Sequence, residues 1–157
     1  MQVVVLAGGV GGSRFVRGVR AGYPDADLSV IMNTADDITL HGLRVCPDLD
    51  TMMYALGGGI DEAKGWGRTE ETWSIMAELR AYAVEPTWFA LGDRDIATHL
   101  VRTQLIAAGA RATEITAALS NRWLPDDRLR LLPMTEDRKS TRLNSSHSGE
   151  SRMPSSA

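Results

Sequence analysis

The chain has 157 residues, 43% apolar and 24% charged, the proportions of one ordinary globular domain with a real hydrophobic core. A formal net charge of -3 gives no electrostatic reason for nucleic acid or an anionic membrane as partner, and the opening apolar run VVVLA is too short for a signal peptide or a membrane span. Cys46 is the only cysteine, which excludes an internal disulfide and fits a reducing, cytoplasmic setting.

Residues 2–7, QVVVLA, read as a buried strand: short, β-branched and ended by glycine. The run LAGGVGGSRF (6–15) then places Gly8, Gly9, Gly11 and Gly12 around Val10, and Ser13 reads as the cap of a helix to about Ala21. Gly22-Tyr23-Pro24 breaks that helix, and LSVIMN (28–33) is a second buried strand. Strand, helix and strand in so few residues make a βαβ unit with a parallel pair and a right-handed crossover.

Residues 34–50 read as a long polar loop, 51–56 as a short helix, and the stretch to Gly67 as glycine-rich loop. Thr69 followed by Glu70 and Glu71 predicts a helix start, with Trp73, Met76, Ala77, Leu79 and Ala83 as its apolar face. WFAL (88–91) is a third strand candidate, 93–108 a helix closed by Gly109, and Thr113 the cap of a helix to about Arg122. LRLLP (129–133) begins a fourth strand. The alternation predicts an α/β fold, a Rossmann-like, doubly wound and mainly parallel sheet.

A strand, a glycine turn and a helix start together make an anion site, because amides approach closely where no Cβ intrudes and the helix N-terminus favours negative charge. The alternative is a turn that needs glycine only for packing. The run lacks both G-x-G-x-x-G and a G-K-[ST] ending, and the second strand ends in Asn33 where an acid would grip an NAD ribose. A nucleotide diphosphate fits better than NAD or a P-loop substrate. Beyond the second strand, Asp36, Asp37, Asp48 and Asp50 supply four carboxylates, hard ligands suited to Mg²⁺ bridging phosphate oxygens. Singly, each has a plain structural reading: Asp48 as a helix cap, Asp36 and Asp37 facing solvent.

On the helix 93–108, Asp95, His99 and Arg102 share one face, opposite a stripe of Ala97, Leu100, Val101, Leu105 and Ala108 that is expected to dock on the sheet. Asp93, Arg94 and Asp95 leave a strand end towards the crevice, where Arg94 could meet a phosphate. His99 is an acid–base group or a hydrogen-bonded structural histidine. Trp66, between two glycines, and Trp88 are candidates to stack on a planar ligand, Trp88 with the stronger claim to be core.

The composition changes near residue 136. The last twenty-one residues hold seven serines and only Leu143, Met153 and Ala157 from the apolar set. Asp137–His147 and Ser151–Ala157 back-translate in frame to a sequence resembling a widely used short-read sequencing adapter and its continuation, and Glu136 fits a truncated codon joined to it. Residues 136–157 are therefore read as an adapter-derived, disordered scar, and 1–135 as the N-terminal part of a Rossmann-like domain. Without the four basic and two acidic residues of 137–157 the net charge moves from -3 to -5.

In this order, LAGGVGGSRF, NTADD, GLRVCPDLDT, GWGRTEETW, WFALGDRDIATHLVRTQ and LPMT resemble the CofD/FbiA family, the 2-phospho-L-lactate or phosphoenolpyruvate transferases of coenzyme F-420 biosynthesis. The resemblance covers residues 1–135 and implies that about the second half of the family's length is missing. It implies transfer of a phosphoryl-linked three-carbon acid from a guanosine diphosphate-linked donor to the deazaflavin Fo, with release of GMP. Gly8, Gly9, Val10, Gly11, Gly12 and Ser13, with Asn33 and Thr34, would hold donor phosphates. Asp48 and Asp50, with Asp36 and Asp37, would hold Mg²⁺ or orient the attacking hydroxyl. Arg94 and His99 join Asp48 and Asp50 as catalytic candidates, and Asp50, Trp66, Asp93, Arg94 and Asp95 would face the acceptor. Asp50→Ala is expected to abolish transfer with the fold intact. Two alternatives stand beside it: a non-catalytic nucleotide-sugar-binding regulator of the related YvcK-like type, and an inactive fragment. The former carries a DDGGSSG run and no PDLDT, so this chain sides with the transferases. The oligomeric state is open, a homodimer among the options.

Overall fold

The computed structural model describes residues 1–86, 88–124 and 126–136, so the segment read as a scar lies outside the described residues from 137 onward. Three strands, β1 (Gln2–Ala7), β2 (Asp27–Met32) and β5 (Leu129–Pro133), form a parallel sheet in the order β1-β2-β5, with Val5 opposite Val30 and Val30 opposite Leu131. Between β1 and β2 runs α1 (Gly9–Gly22), the crossover that a parallel pair requires. The α/β class and the parallel sheet are thus as expected.

One face of this sheet carries the core. Val5, Leu28, Val30, Met32 and Leu131 point into it, met by Val16 of α1, by Met52 and Met53 of α2 (Pro47–Leu56) and by Leu119 of α5 (Ala112–Ser120). Met52 and Met53 are both fully buried, and each such side chain contributes about 1.5–3 kcal/mol over leaving it in water. The opposite face is bare. Side chains alternate along a strand, so Val4 and Leu6 of β1 point away from the core and stand 65% and 73% exposed. The expected fully buried first strand is half-buried.

Other boundaries also differ. The helix α1 begins at Gly9, four residues before Ser13, whose hydroxyl donates to the Val10 carbonyl (2.8 Å) instead of capping. The loop read over 34–50 contains an antiparallel hairpin, β3 (Ile38–Leu40) and β4 (Leu43–Val45), turned by His41 and Gly42 with φ of 50° and 76°. Two left-handed residues in a two-residue turn match the twist of the flanking strands. Pro47, pre-set for a first helical position, starts α2 four residues earlier than expected and brings Asp48 and Asp50 into its first turn.

The helix expected from Thr69 begins only at Ser74, as α3 (Ser74–Ala81), because Glu70 takes a left-handed φ of 55° that no helix start accommodates. WFAL forms no strand: Leu91 alone is buried, joining Leu40, Val45 and Met76 in a second small core, while Trp88 is exposed. A short apolar run does not by itself secure a ladder partner. The helix α4 (Asp93–Ala107) falls where expected but turned over. His99 is 0% exposed and Leu100 47%, so the polar face is buried and the apolar stripe faces outwards. The reason lies in the partners that meet that polar face.

Candidate functional site

At the carboxyl ends of β1 and β2 the glycine turn meets two carboxylates. Asn33, the first residue beyond β2, donates through its side-chain amide to Asp48 Oδ2 (2.9 Å) and Asp36 Oδ2 (3.1 Å). Its own Oδ1 accepts from the Ala35 N–H (3.1 Å), which fixes which way the amide points. Asp48 lies directly against the turn: a Cβ on Gly8 would stand 2.6 Å from Asp48 Oδ2 and 3.2 Å from Asn33 Cβ. Gly9 has φ +60°, and a Cβ on Gly11 would meet nothing within 4 Å, so the first turn of α1 stays open. No acidic residue occupies that turn. The 65–67 loop approaches from the side, where a Cβ on Gly65 would come 3.2 Å from Val10.

The four aspartates read as one set divide three ways. Asp36 and Asp48 share Asn33, whereas Asp37 accepts from Arg44 (2.9 Å) and from the Cys46 thiol (3.2 Å) behind it. Burial pushes the Asp37 carboxyl up despite those donors, and burial likewise pushes the Cys46 thiol up to about 12. Asp50 turns inwards and takes both arms of the Arg102 guanidinium, at 3.0 Å to Oδ2 and closer still to Oδ1.

This pair opens a buried polar network along α2 and α4. Arg102 Nη1 sits 3.1 Å from His99 Nδ1 and donates to the Arg44 carbonyl (3.3 Å). The other ring nitrogen, Nε2, faces Asp95. That nitrogen lies 3.3 Å from Asp95 Oδ2, though off the line of a good hydrogen bond. The Tyr54 hydroxyl donates to Asp95 Oδ1 at 2.6 Å and lies 2.9 Å from Thr98 Oγ1. Burial alone would raise the Asp95 carboxyl; the neighbouring His99 and the Tyr54 hydroxyl outweigh it and hold it below the usual range. Burial works against the Arg102 charge, but Asp50 reverses the balance and Arg102 stays firmly protonated.

Among the described residues, Asp50, Asp95 and His99 are the group of three whose ligand atoms come within 4.8 Å of one another. With Arg102 holding both Asp50 oxygens, one of that group's two carboxylates is already taken from inside. Asp36 and Asp48, beside the open helix start, suit a hard cation better, since Mg²⁺ typically takes one or two carboxylates with phosphate oxygens and water.

The remaining candidates sit elsewhere. Asp93 accepts from the Ser74 and Ile75 N–H groups (3.0 Å each) and from the Thr72 hydroxyl (2.7 Å), so it caps α3. Arg94 pairs with Glu70 (3.1 Å) at the surface. Trp66 is exposed and lines a shallow hollow with Arg68, Trp73 and Asp95. Thr34 instead lines a larger cavity of about 310 Å³, walled by Asp37, Arg44, Arg102, Ile106 and Pro133 at the carboxyl ends of β2 and β5. Glu136, just past β5, also reaches this wall and accepts from the Ala112 N–H (2.8 Å) at the start of α5.

Sequence reasoning missed Tyr54, Glu71 and Arg44. Tyr54 was visible in principle: with α2 starting at Pro47, Asp50 and Tyr54 stand four apart on one helical face.

No helix among the described residues is long and apolar enough to cross a membrane. The model of one protein family, 2-phospho-L-lactate transferase CofD, matches residues 3–156. A phosphoenolpyruvate transferase of Streptomyces griseus is 58% identical over 152 residues, covering 97% of this chain and 47% of the relative. One of Streptomyces coelicolor is 59% identical over 150 residues (96% and 46%), and one of Mycobacterium tuberculosis 54% over 154 residues (90% and 46%). The chain spans about half the length of the curated relatives it matches.

Proposed function

The chain belongs to the CofD family, and from that premise we propose that its protein transfers a phosphoenolpyruvyl or 2-phospholactyl group from a guanosine diphosphate-linked donor to the deazaflavin Fo, releasing GMP, in coenzyme F-420 biosynthesis. The relatives' name, phosphoenolpyruvate transferase, favours the enolpyruvyl donor. The observation that carries the reading is the meeting of Gly8, Asn33 and Asp48 at the end of β1. In doubly wound sheets the ligand crevice lies beside that strand, where strand order reverses.

Donor phosphates rest on the amides of α1's first turn, where the positive helix end and the missing Cβ atoms favour them. Asp36 and Asp48, steadied by Asn33, would hold Mg²⁺, which supplies neutralisation of charge on the diphosphate. The deazaflavin ring enters the cavity beside Thr34, with its ribityl hydroxyl turned towards Asp48. That hydroxyl oxygen bonds to the phosphorus bearing the three-carbon acid, its proton passes to water, the bond from that phosphorus to the bridging oxygen breaks, and GMP departs with the bridging oxygen. Positioning and electrostatics suffice for such a transfer. Asp50 anchors the first turn of α2 through Arg102 and so positions Asp48, two residues away.

The test is GMP release measured by chromatography in a family-length protein carrying these residues. Gly8→Ala and Asp48→Asn are each expected to lower turnover at least a hundredfold with the fold retained. Full turnover by either variant removes that residue from the reading. The division at residue 135 belongs to the same proposal and rests on the in-frame back-translation of 137–147 and 151–157. A long read of the source DNA across codon 136 checks it, a continuous α/β reading frame supporting it and a natural SRMPSSA ending refuting it.

A further inference from the structure

We propose that His41, at the tip of the β3–β4 hairpin, is a specificity-determining residue of the neighbouring cavity, its ring turning out to hydrogen-bond the polar edge of a planar heteroaromatic guest. The proposal rests on the reading above, in which that guest is the deazaflavin. Two observations single out this side chain. Both ring nitrogens are buried and have no hydrogen-bond partner, although a neutral imidazole carries one donor and one acceptor. Folded proteins leave few buried polar atoms unpaired, because each such atom keeps the cost of its desolvation. The backbone at His41 is also left-handed, with φ 50°, in a two-residue turn whose first position asparagine, aspartate or glycine fills more readily. Stability argues against histidine on both counts, and residues held against stability cluster at ligand clamps and switch regions.

The hairpin sets this residue beside a site. Ile38, Leu40 and Val45 pack in the second core. Thr39 and Arg44, opposite one another on the other face, line the cavity of about 310 Å³ together with Gly42. Gly42 follows His41 in the turn, and a Cβ on it would meet nothing within 4 Å, so the space at the tip is open to a ring that turns out. The charged side chains of the wall are engaged already, Arg44 with Asp37 and Arg102 with Asp50. His41 instead brings a free donor and a free acceptor, the pair that suits an edge bearing both C=O and N–H. Contact with such an edge pairs the nitrogens that the chain alone leaves unpaired, so their desolvation cost drops out on binding.

Calorimetric titration of Fo into this chain tests the assignment. His41→Gly suits the left-handed turn and removes the ring, while His41→Phe keeps a ring and removes both nitrogens. Each variant is expected to bind Fo at least tenfold more weakly than the parent. Guanosine diphosphate, assigned to the glycine turn, should bind all three alike. His41→Gly should also melt no lower than the parent, since two unpaired buried nitrogens are gone. Unchanged affinity for Fo in either variant, with the parent's far-UV circular dichroism, overturns the proposal and leaves the acceptor reading standing. So does an equal loss of guanosine diphosphate binding, or a His41→Gly chain that melts several degrees lower, either of which marks the ring as packing. A parent chain that takes up no Fo overturns the acceptor reading, and this proposal with it.

Discussion

Glu71, three residues ahead of α3, caps α4, and Asp93 caps α3 in return. The Glu71 carboxylate accepts from the Arg94 and Asp95 N–H groups (2.8 Å each) at the start of α4, while Asp93, the first residue of α4, accepts from Ser74 and Ile75 at the start of α3. The exchange ties two helix starts into one corner and requires Gly92, since a Cβ there would stand 2.2 Å from Glu71 Cδ. Glu71→Ala should cost about 1 kcal/mol, as loss of a helix cap typically does. Gly92→Ala should cost more than Glu71→Ala, because its Cβ drives the carboxylate off both N–H groups and crowds the side chain that remains. Urea unfolding of the two variants checks the order; a harmless Gly92→Ala would break the argument.

Asp50 and Arg102 form a buried pair, and such pairs fail badly when halved. Removing either partner leaves an uncompensated buried charge, which costs about 3–5 kcal/mol. Asp50→Ala is therefore expected to lose stability as well as activity, contrary to the expectation from sequence that its fold would be intact. Arg102→Met should behave alike. The combined Asp50→Leu/Arg102→Met variant should be destabilised by clearly less than the sum of the two single changes, since it removes both charges together. Additive losses in equilibrium unfolding would show that the pair is not coupled.

The parallel βαβ unit, the position of α4 and the glycine turn were legible because each has a local signal: β-branched runs, a glycine stop, crowded glycines. The orientation of α4 was not. Periodicity locates an apolar stripe and assumes it faces inwards, whereas Arg102, His99 and Asp95 are met by Asp50 and Tyr54 from a distant helix. Neither could the division of the four aspartates be read, because Asp36 and Asp37 are adjacent and yet end on opposite sides of the hairpin entry. The exposed face of β1 was hidden for a different reason. VVVLA is apolar on both sides, as strands of parallel sheets are, and nothing in it says which side is covered.

Tyr54→Phe tests the network by pH. A carboxyl held low in the folded state stabilises the fold fully above its unfolded value, roughly 3.9, and that contribution is lost as pH falls through the lower folded value. Asp95 is such a group, held down against burial by His99 and by Tyr54. Removing the Tyr54 hydroxyl raises the folded value, so acid unfolding should begin at a higher pH. At neutral pH the lost bond to a charged group should cost ~1.5–3 kcal/mol. An acid limb that superimposes on the parent's would show that Tyr54 does not support Asp95.

The glycines at the head of α1 make opposite predictions for stability and for binding. A Cβ on Gly11 meets nothing within 4 Å, and alanine is the better helix former by roughly 0.5–1 kcal/mol, so Gly11→Ala should raise the thermal midpoint. A phosphate resting on the same turn needs that space, so donor affinity should fall at least tenfold. Gly8→Ala should differ in kind. Its Cβ would strike Asp48 Oδ2 and push the carboxylate off Asn33, so the Mg²⁺ concentration needed for half-maximal activity should rise. Calorimetric titration with guanosine diphosphate, beside thermal melts of the same samples, separates the two effects. A Gly11→Ala protein that is more stable and binds undiminished would mean that the glycine turn serves packing alone.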